Sequence, residues 1–153
     1  MHTLISYATQ WGNKYGGINC FNTDFLSAFG VAYHLGVQVV CIVASATPEE
    51  TEEARNAHVT LVPLPYNPAD KVLSQAHAQP VIEELNRRGI SFDSACTVWL
   101  GHDRITGSAA VGSAKIAGGR SALIHHMSYD HYESYAENSA TAKTKVEEQR
   151  KLF

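Results

Sequence analysis

Apolar positions along this chain follow two rhythms that take turns. Largely apolar runs at residues 3–9, 37–45, 58–64, 95–100 and 121–125 predict five strands, because a strand covered on both faces has no need of polar alternation. Between them the spacing lengthens to three and four. From Ile18, apolar residues recur at Phe21, Phe25, Ala28, Ala32 and Leu35, one face of a helix that Gly36 ends in the position glycine favours. Residues 47–57 are polar and acidic and read as a loop with a helical turn. Pro63, Pro65 and Pro68 halt the third strand and mark a loop. The next helix meets Pro80, which predicts a kink or a new helix with Pro80 in first place, and it ends at Gly89. Thr106 can cap a helix over 107–117, built from alanine, serine and glycine and stopped by Gly118-Gly119. Side chains that small let a helix lie close to a sheet. Residues 136–153 favour a polar helix with sparse apolar points at Ala142, Val146 and Phe153.

Strands and helices in this alternation predict the α/β class, a Rossmann-like, doubly wound, mostly parallel sheet. Ligands of such sheets bind outside the carboxyl ends of the strands. Three polar clusters fall at those ends: residues 11–17 with Gly16-Gly17, then His102-Asp103, then His125-His126. Their convergence on one edge predicts a functional cleft there.

Composition narrows the partners. With 153 residues, 44% of them hydrophobic, the chain can build one domain with a core. Against 15 acidic residues stand 12 basic ones, a formal charge of −3 without a Lys/Arg cluster, so nucleic acid is not an expected partner. Cys20, Cys41 and Cys96 lie in apolar runs, which predicts reduced, buried thiols in a cytoplasmic protein. The longest apolar stretch, 37–46, is about half of the ~20 residues a membrane span requires. No secretory signal pattern opens the chain.

Each cluster has a plain reading beside its chemical one. Gly16-Gly17 can be a tight turn that needs positive φ, or a strand-to-helix turn whose amides hold a phosphate. The third glycine of a dinucleotide fingerprint and the Gly-Lys-Ser/Thr of a Walker loop are both absent. His102-Asp103 can cap the following helix, bind a substrate hydroxyl or phosphate, or start a metal site of the His-Asp phosphohydrolase kind. His2, His34, His58, His77 and His131 show no pairing that completes a ligand set, so no metal is expected. His125 and His126 are neighbours, so on a continuing strand their rings point to opposite faces. One can face the cleft while the other packs under a helix. Tyr129, Tyr132 and Tyr135, three residues apart, align on one side of a helix, as a half-buried face or as a platform for a sugar or partner.

Several of these segments resemble the N-terminal, acceptor-side domain of retaining glycosyltransferases with the GT-B fold, the glycogen-synthase and sucrose-synthase-like group. Gly16-Gly17-Ile18, followed by a helix with Asn22, is similar to that group's Gly-Gly-Ile opening beside the donor diphosphate. Residues 35–39 resemble the next helix end and strand, with Val37 where a histidine is usual. Trp99 to Asp103 resembles the strand end that faces the acceptor, and Ile124-His125-His126-Met127 the strand that ends in the cleft histidine. The stretch from His126 to Tyr129 is similar to bacterial enzymes of polysaccharide biosynthesis.

The resemblance implies one half of a GT-B fold that moves a sugar, with retention, from a nucleotide sugar to a glycan or lipid-linked acceptor. It implies that Gly16 and Gly17 bind the donor diphosphate and that His102 and Asp103 bind the acceptor. His126 is then the catalytic-site histidine, with His125 as its alternative. It implies a metal-independent reaction with no tightly bound cofactor. A C-terminal domain holding the nucleotide is expected beyond residue 153, so that 1–153 alone is inactive and prone to self-association. The expected place is the cytoplasm, or the inner-membrane periphery through a longer protein. The contrasting expectation is a non-catalytic module that binds a glycan or phosphate, or docks on a partner subunit.

Overall fold

The computed structural model describes residues 1–64, 72–126 and 139–153, with the side chains of 139–142 left aside. In chain order it runs β1 (His2–Tyr7), α1 (Gly17–Tyr33), β2 (Val37–Val43), α2 (Pro48–Asn56), β3 (Val59–Pro63), α3 (Ala78–Arg87), β4 (Thr97–His102), α4 (Asp103–Ala117), β5 (Arg120–Ile124) and α5 (Ser139–Leu152). The five strands form one parallel sheet in the order β3-β2-β1-β4-β5. This is the doubly wound arrangement, with the direction of winding reversing between β1 and β4. In the central register Leu4 stands beside Val39 on one side and Val98 on the other.

Alternation along β1 assigns its residues to two cores. Ile5 and Tyr7 point to the layer of α3 and α4, where they pack with Val40, Ile42, Trp99, Val81, Leu85, Ala109 and Ala110. Leu4 and Ala8 point to the layer of α1 and α2, against Leu26, Val39, Cys41, Val43, Ala54 and Leu100. Removing a side chain such as Ile5 or Ile42 from water contributes roughly 1.5–3 kcal/mol. Trp99 anchors the first core, with its indole N–H donating to the Gly118 carbonyl at 2.8 Å. On the other layer, the β1 position between Leu4 and Ala8 is Ser6, a buried hydroxyl. That hydroxyl belongs to the site described below.

Small residues bring α4 onto β4. A methyl added to Gly101 would come within 2.6 Å of the Gly107 Cα, and one added to Gly107 would collide with Leu152 of α5. This is the close approach expected of an Ala/Ser/Gly helix.

Several expectations change. Residues 48–56 form a full helix rather than a loop with one turn. Its start is secured by a capping box: Glu50 N–H donates to Thr47 Oγ1 at 3.1 Å, and Thr47 N–H to Glu50 Oε2 at 3.0 Å, with Pro48 in first position. The buried face of α1 is Asn19, Asn22, Thr23, Leu26 and Gly30, while Phe21 and Leu35 of the expected stripe are exposed. Helix α4 begins at Asp103, so Thr106 lies inside its first turn rather than at the cap. Pro80 sits in the first turn of α3, where no helical N–H is lost. Cys41 is buried, whereas Cys20 and Cys96 are only partly so, and all three are free thiols. Among the described residues no helix is long and apolar enough to cross a membrane. Tyr129, Tyr132 and Tyr135 lie outside the described residues.

Candidate functional site

The carboxyl ends of β1 and β4 meet where the sheet reverses its winding, and a chain of polar side chains crosses that seam. Ser6 on β1 donates its hydroxyl to Asn22 Oδ1 on α1 at 2.6 Å. The same oxygen lies 2.9 Å from His102 Nε2, at the end of β4. On its other side His102 Nδ1 is 2.9 Å from His126 Nε2, two residues past the end of β5. Strands β1 and β4, helix α1 and the chain leaving β5 thus contribute one side chain each to a continuous relay.

Asp103 holds the second half of the site. It opens α4 with φ at 45°, a left-handed conformation that an aspartate tolerates at a cost of order 1 kcal/mol. The turn aims its carboxylate away from the helix and toward the chain leaving β5. There His126 N–H donates to both carboxylate oxygens, at 3.1 and 3.2 Å. Gln149 Nε2 donates to Oδ1 at 2.6 Å from α5. His125 Nδ1 lies 3.1 Å from the same oxygen and 2.8 Å from the Gln149 amide. With a proton on Nδ1 that ring donates to the carboxylate; without one it accepts from the amide. The His125 ring also meets the edge of Phe153.

Thr106 secures the turn from within. Its hydroxyl accepts from His102 N–H and donates to the Tyr7 carbonyl, both at 2.9 Å. Strand ends β1 and β4 are therefore tied together directly beneath the histidines.

Electrostatics follow from burial. His102 has 0% of its surface exposed. Desolvation, helped by the neighbouring His126 and opposed by Asp103, pushes its pKa down to about 4. His126 is also held below the ordinary histidine value, first by desolvation, with Asp103 opposing and His125 adding to the effect. Both rings are neutral at pH 7. Phe21 of α1, itself 41% exposed, sets its ring edge-on to His126 at 5.0 Å and covers the pair from outside.

Gly16 and Gly17 stand at the same sheet edge. Gly16 precedes α1 with φ at 97°, Gly17 begins the helix, and no side chain caps it. A Cβ on either glycine would meet nothing within 4 Å. Gly17 precedes Phe21 by one helical turn, a rise of about 6 Å. The loop before it is shaped by Asn19, whose Oδ1 accepts from Thr9 N–H at 3.3 Å and Gln10 N–H at 3.1 Å.

Gly16, Gly17, His102, Asp103, His125 and His126 therefore lie at one edge, and the last four form one hydrogen-bonded assembly. The two histidines past β5 do diverge, His126 toward α1 and His125 toward α5. Asp103 and His102 are both fully buried; their contacts run to the two histidines, Asn22 and Gln149 rather than to the surface. Sequence reasoning missed Ser6 and Gln149, and it named Asn22 only within the resemblance, with no role of its own. Asn22 carried a signal, a polar residue three positions from Asn19 and four from Leu26 on what proves the inner face of α1. Gln149 carried none, being one polar residue among many in its helix. Among the described residues no group of three or more His, Cys, Asp or Glu side chains is arranged to hold a metal ion.

A family model described as "Family 4 Glycosyltransferase in conflict systems" matches residues 5–153. No curated protein and no solved structure matches the chain.

Proposed function

The chain belongs to the family 4 glycosyltransferases of conflict systems, and from that premise we propose that it is the acceptor-side half of a retaining enzyme that moves a sugar from a nucleotide sugar to a glycan or lipid-linked acceptor. The observation that carries this reading is the hydrogen-bonded His126–His102–Asn22 relay at the sheet's reversal point, beside a glycine-opened helix N-terminus.

In this reading the donor diphosphate lies on the Gly16-Gly17 turn. As the bond between sugar and phosphate breaks, negative charge gathers on the departing oxygen. Fixed backbone amides and the helix dipole meet that charge without having to reorganise. Such a site needs no metal ion and no tightly bound cofactor. His126 hydrogen-bonds the donor sugar. His102 and Asp103, buried as they are, act as positioning residues, one through the ring of His126 and the other through its backbone N–H. The acceptor meets the cleft above them, and a second Rossmann-like domain contributes the nucleotide pocket.

The test is an assay of the gene's whole product against a panel of nucleotide sugars, with release of nucleoside diphosphate as the readout. Turnover is expected, with retention at the transferred carbon. His126→Ala should lower kcat about a hundredfold, the loss usual for one preorganised donor or acceptor at a reacting centre, while leaving the fold intact by circular dichroism. Saturable glycan or phosphate binding without turnover would point instead to a non-catalytic binding module.

A further inference from the structure

Within the relay, hydrogen-bond chemistry leaves little freedom about where the protons lie. Cys41 Sγ accepts from the Asn22 amide N–H of Nδ2 at 3.4 Å. That fixes the Asn22 amide with Oδ1 toward Ser6 and His102. An amide oxygen only accepts, so His102 Nε2 must carry a proton, and in a neutral ring Nδ1 is then a lone pair. The lone pair faces His126 Nε2 at 2.9 Å, which must in turn be the protonated nitrogen of its own ring.

We infer that Asn22, steadied by Ser6, is a positioning residue that locks His102 as its Nε2–H tautomer and through it orients His126, so that His126 offers only the lone pair of Nδ1 to a substrate. His126 then accepts a hydrogen bond from a donor-sugar hydroxyl and does not give one. A sugar with a hydroxyl at that place is favoured over its deoxy or O-methyl analogue, because either change leaves the Nδ1 lone pair without a proton to accept. This consequence for the sugar rests on the transferase reading, whereas the tautomers do not.

The experiment is side-chain 15N spectroscopy of the histidines above neutral pH, on the chain itself. The unaltered protein should show pyrrole-like Nε2 and pyridine-like Nδ1 for both His102 and His126. An Nδ1–H form of either ring overturns the inference without any variant. Asn22→Asp keeps an acceptor oxygen at the same place and should keep both tautomers, while Asn22→Ala should leave His102 a mixture. An Asn22→Ala protein that folds and retains the original His102 signals refutes the role of Asn22. In the whole gene product, Asn22→Ala should reduce kcat about tenfold, the worth of about one hydrogen bond, with KM for the acceptor unchanged and Asn22→Asp within about threefold of the parent. Equal kcat in parent and Asn22→Ala also overturns the inference. If the parent transfers no sugar, the transferase reading fails, and the spectra still decide the relay.

Discussion

Two helices begin at the same edge of this sheet, on either side of its reversal point, and their first turns are built in opposite ways. Helix α1 opens on Gly16 and Gly17, with no capping side chain and open space around both residues. Helix α4 opens on Asp103, whose fully buried carboxylate is surrounded by donors from β5's exit and from α5. A helix N-terminus attracts negative charge wherever it lies. At α4 the chain supplies that charge itself and uses it to hold His126. At α1 no side chain fills the place. One helix start therefore builds the site, and the other is the one that the proposed function assigns to the donor diphosphate. The difference lies in whether the first helical residue carries a side chain: Gly17 does not, and Asp103 does.

Breaking the filled end should have the largest effect. Asp103→Ala removes the acceptor shared by His126 N–H and Gln149 and leaves buried donors without partners. A loss of about 4 kcal/mol in unfolding free energy is expected in urea titration. Acid should act on the same region nearly as strongly. Burial lowers the His102 pKa from an ordinary 6.5 to about 4, so the unfolded chain binds the proton more tightly than the folded one. Stability is then full above pH 6.5 and falls as pH drops toward 4, by about 3 kcal/mol at the limit. His102→Gln should flatten that limb of the stability curve; an unchanged limb would place the titrating group elsewhere.

The contact that seats α4 against β4 comes next. Gly101→Ala puts a methyl 2.6 Å from the Gly107 backbone and should cost about 2 kcal/mol by overpacking, read as a shift in the urea midpoint. The open end should hardly register in stability. Gly17→Ala meets no neighbour and should change unfolding free energy by no more than about 0.5 kcal/mol, the better helix former offsetting a lost solvent contact. If a diphosphate lies there, the same methyl occupies its place and raises the donor KM about tenfold in the whole gene product. A large stability loss from Gly17→Ala would erase the contrast between the two helix starts.

Several features of this protein were decided locally and could be read from the chain. The near-continuous β-branched run at β2 and the Gly118-Gly119 stop after α4 each reflect the preferences of a few neighbouring residues, whereas α1 ends at Tyr33 with His34 as its cap, before the expected stop at Gly36. The alternation of strands and helices was enough to specify a parallel α/β sheet and to place the polar clusters at one edge. Helix α2 was read only as a loop with a helical turn, although Thr47-Pro48-Glu49-Glu50 carries a capping signal, because its small inner face of Glu50 and Ala54 offers no apolar rhythm.

What no local rule could decide was which face of α1 turns inward. Apolar spacing selected Phe21, Phe25, Ala28, Ala32 and Leu35, yet the helix buries Asn19, Asn22 and Thr23 with Leu26 and Gly30. Burying a polar side chain is unfavourable unless partners are present, and those partners are Thr9, Ser6, Gly12, Cys41 and His102, brought from as far as 80 positions away. The same holds for Asp103, whose donors sit on β5's exit and on α5. Sequence patterns record the average cost of leaving water. Only the assembled fold supplies the individual hydrogen bonds that offset it, and the site of this protein is made of those.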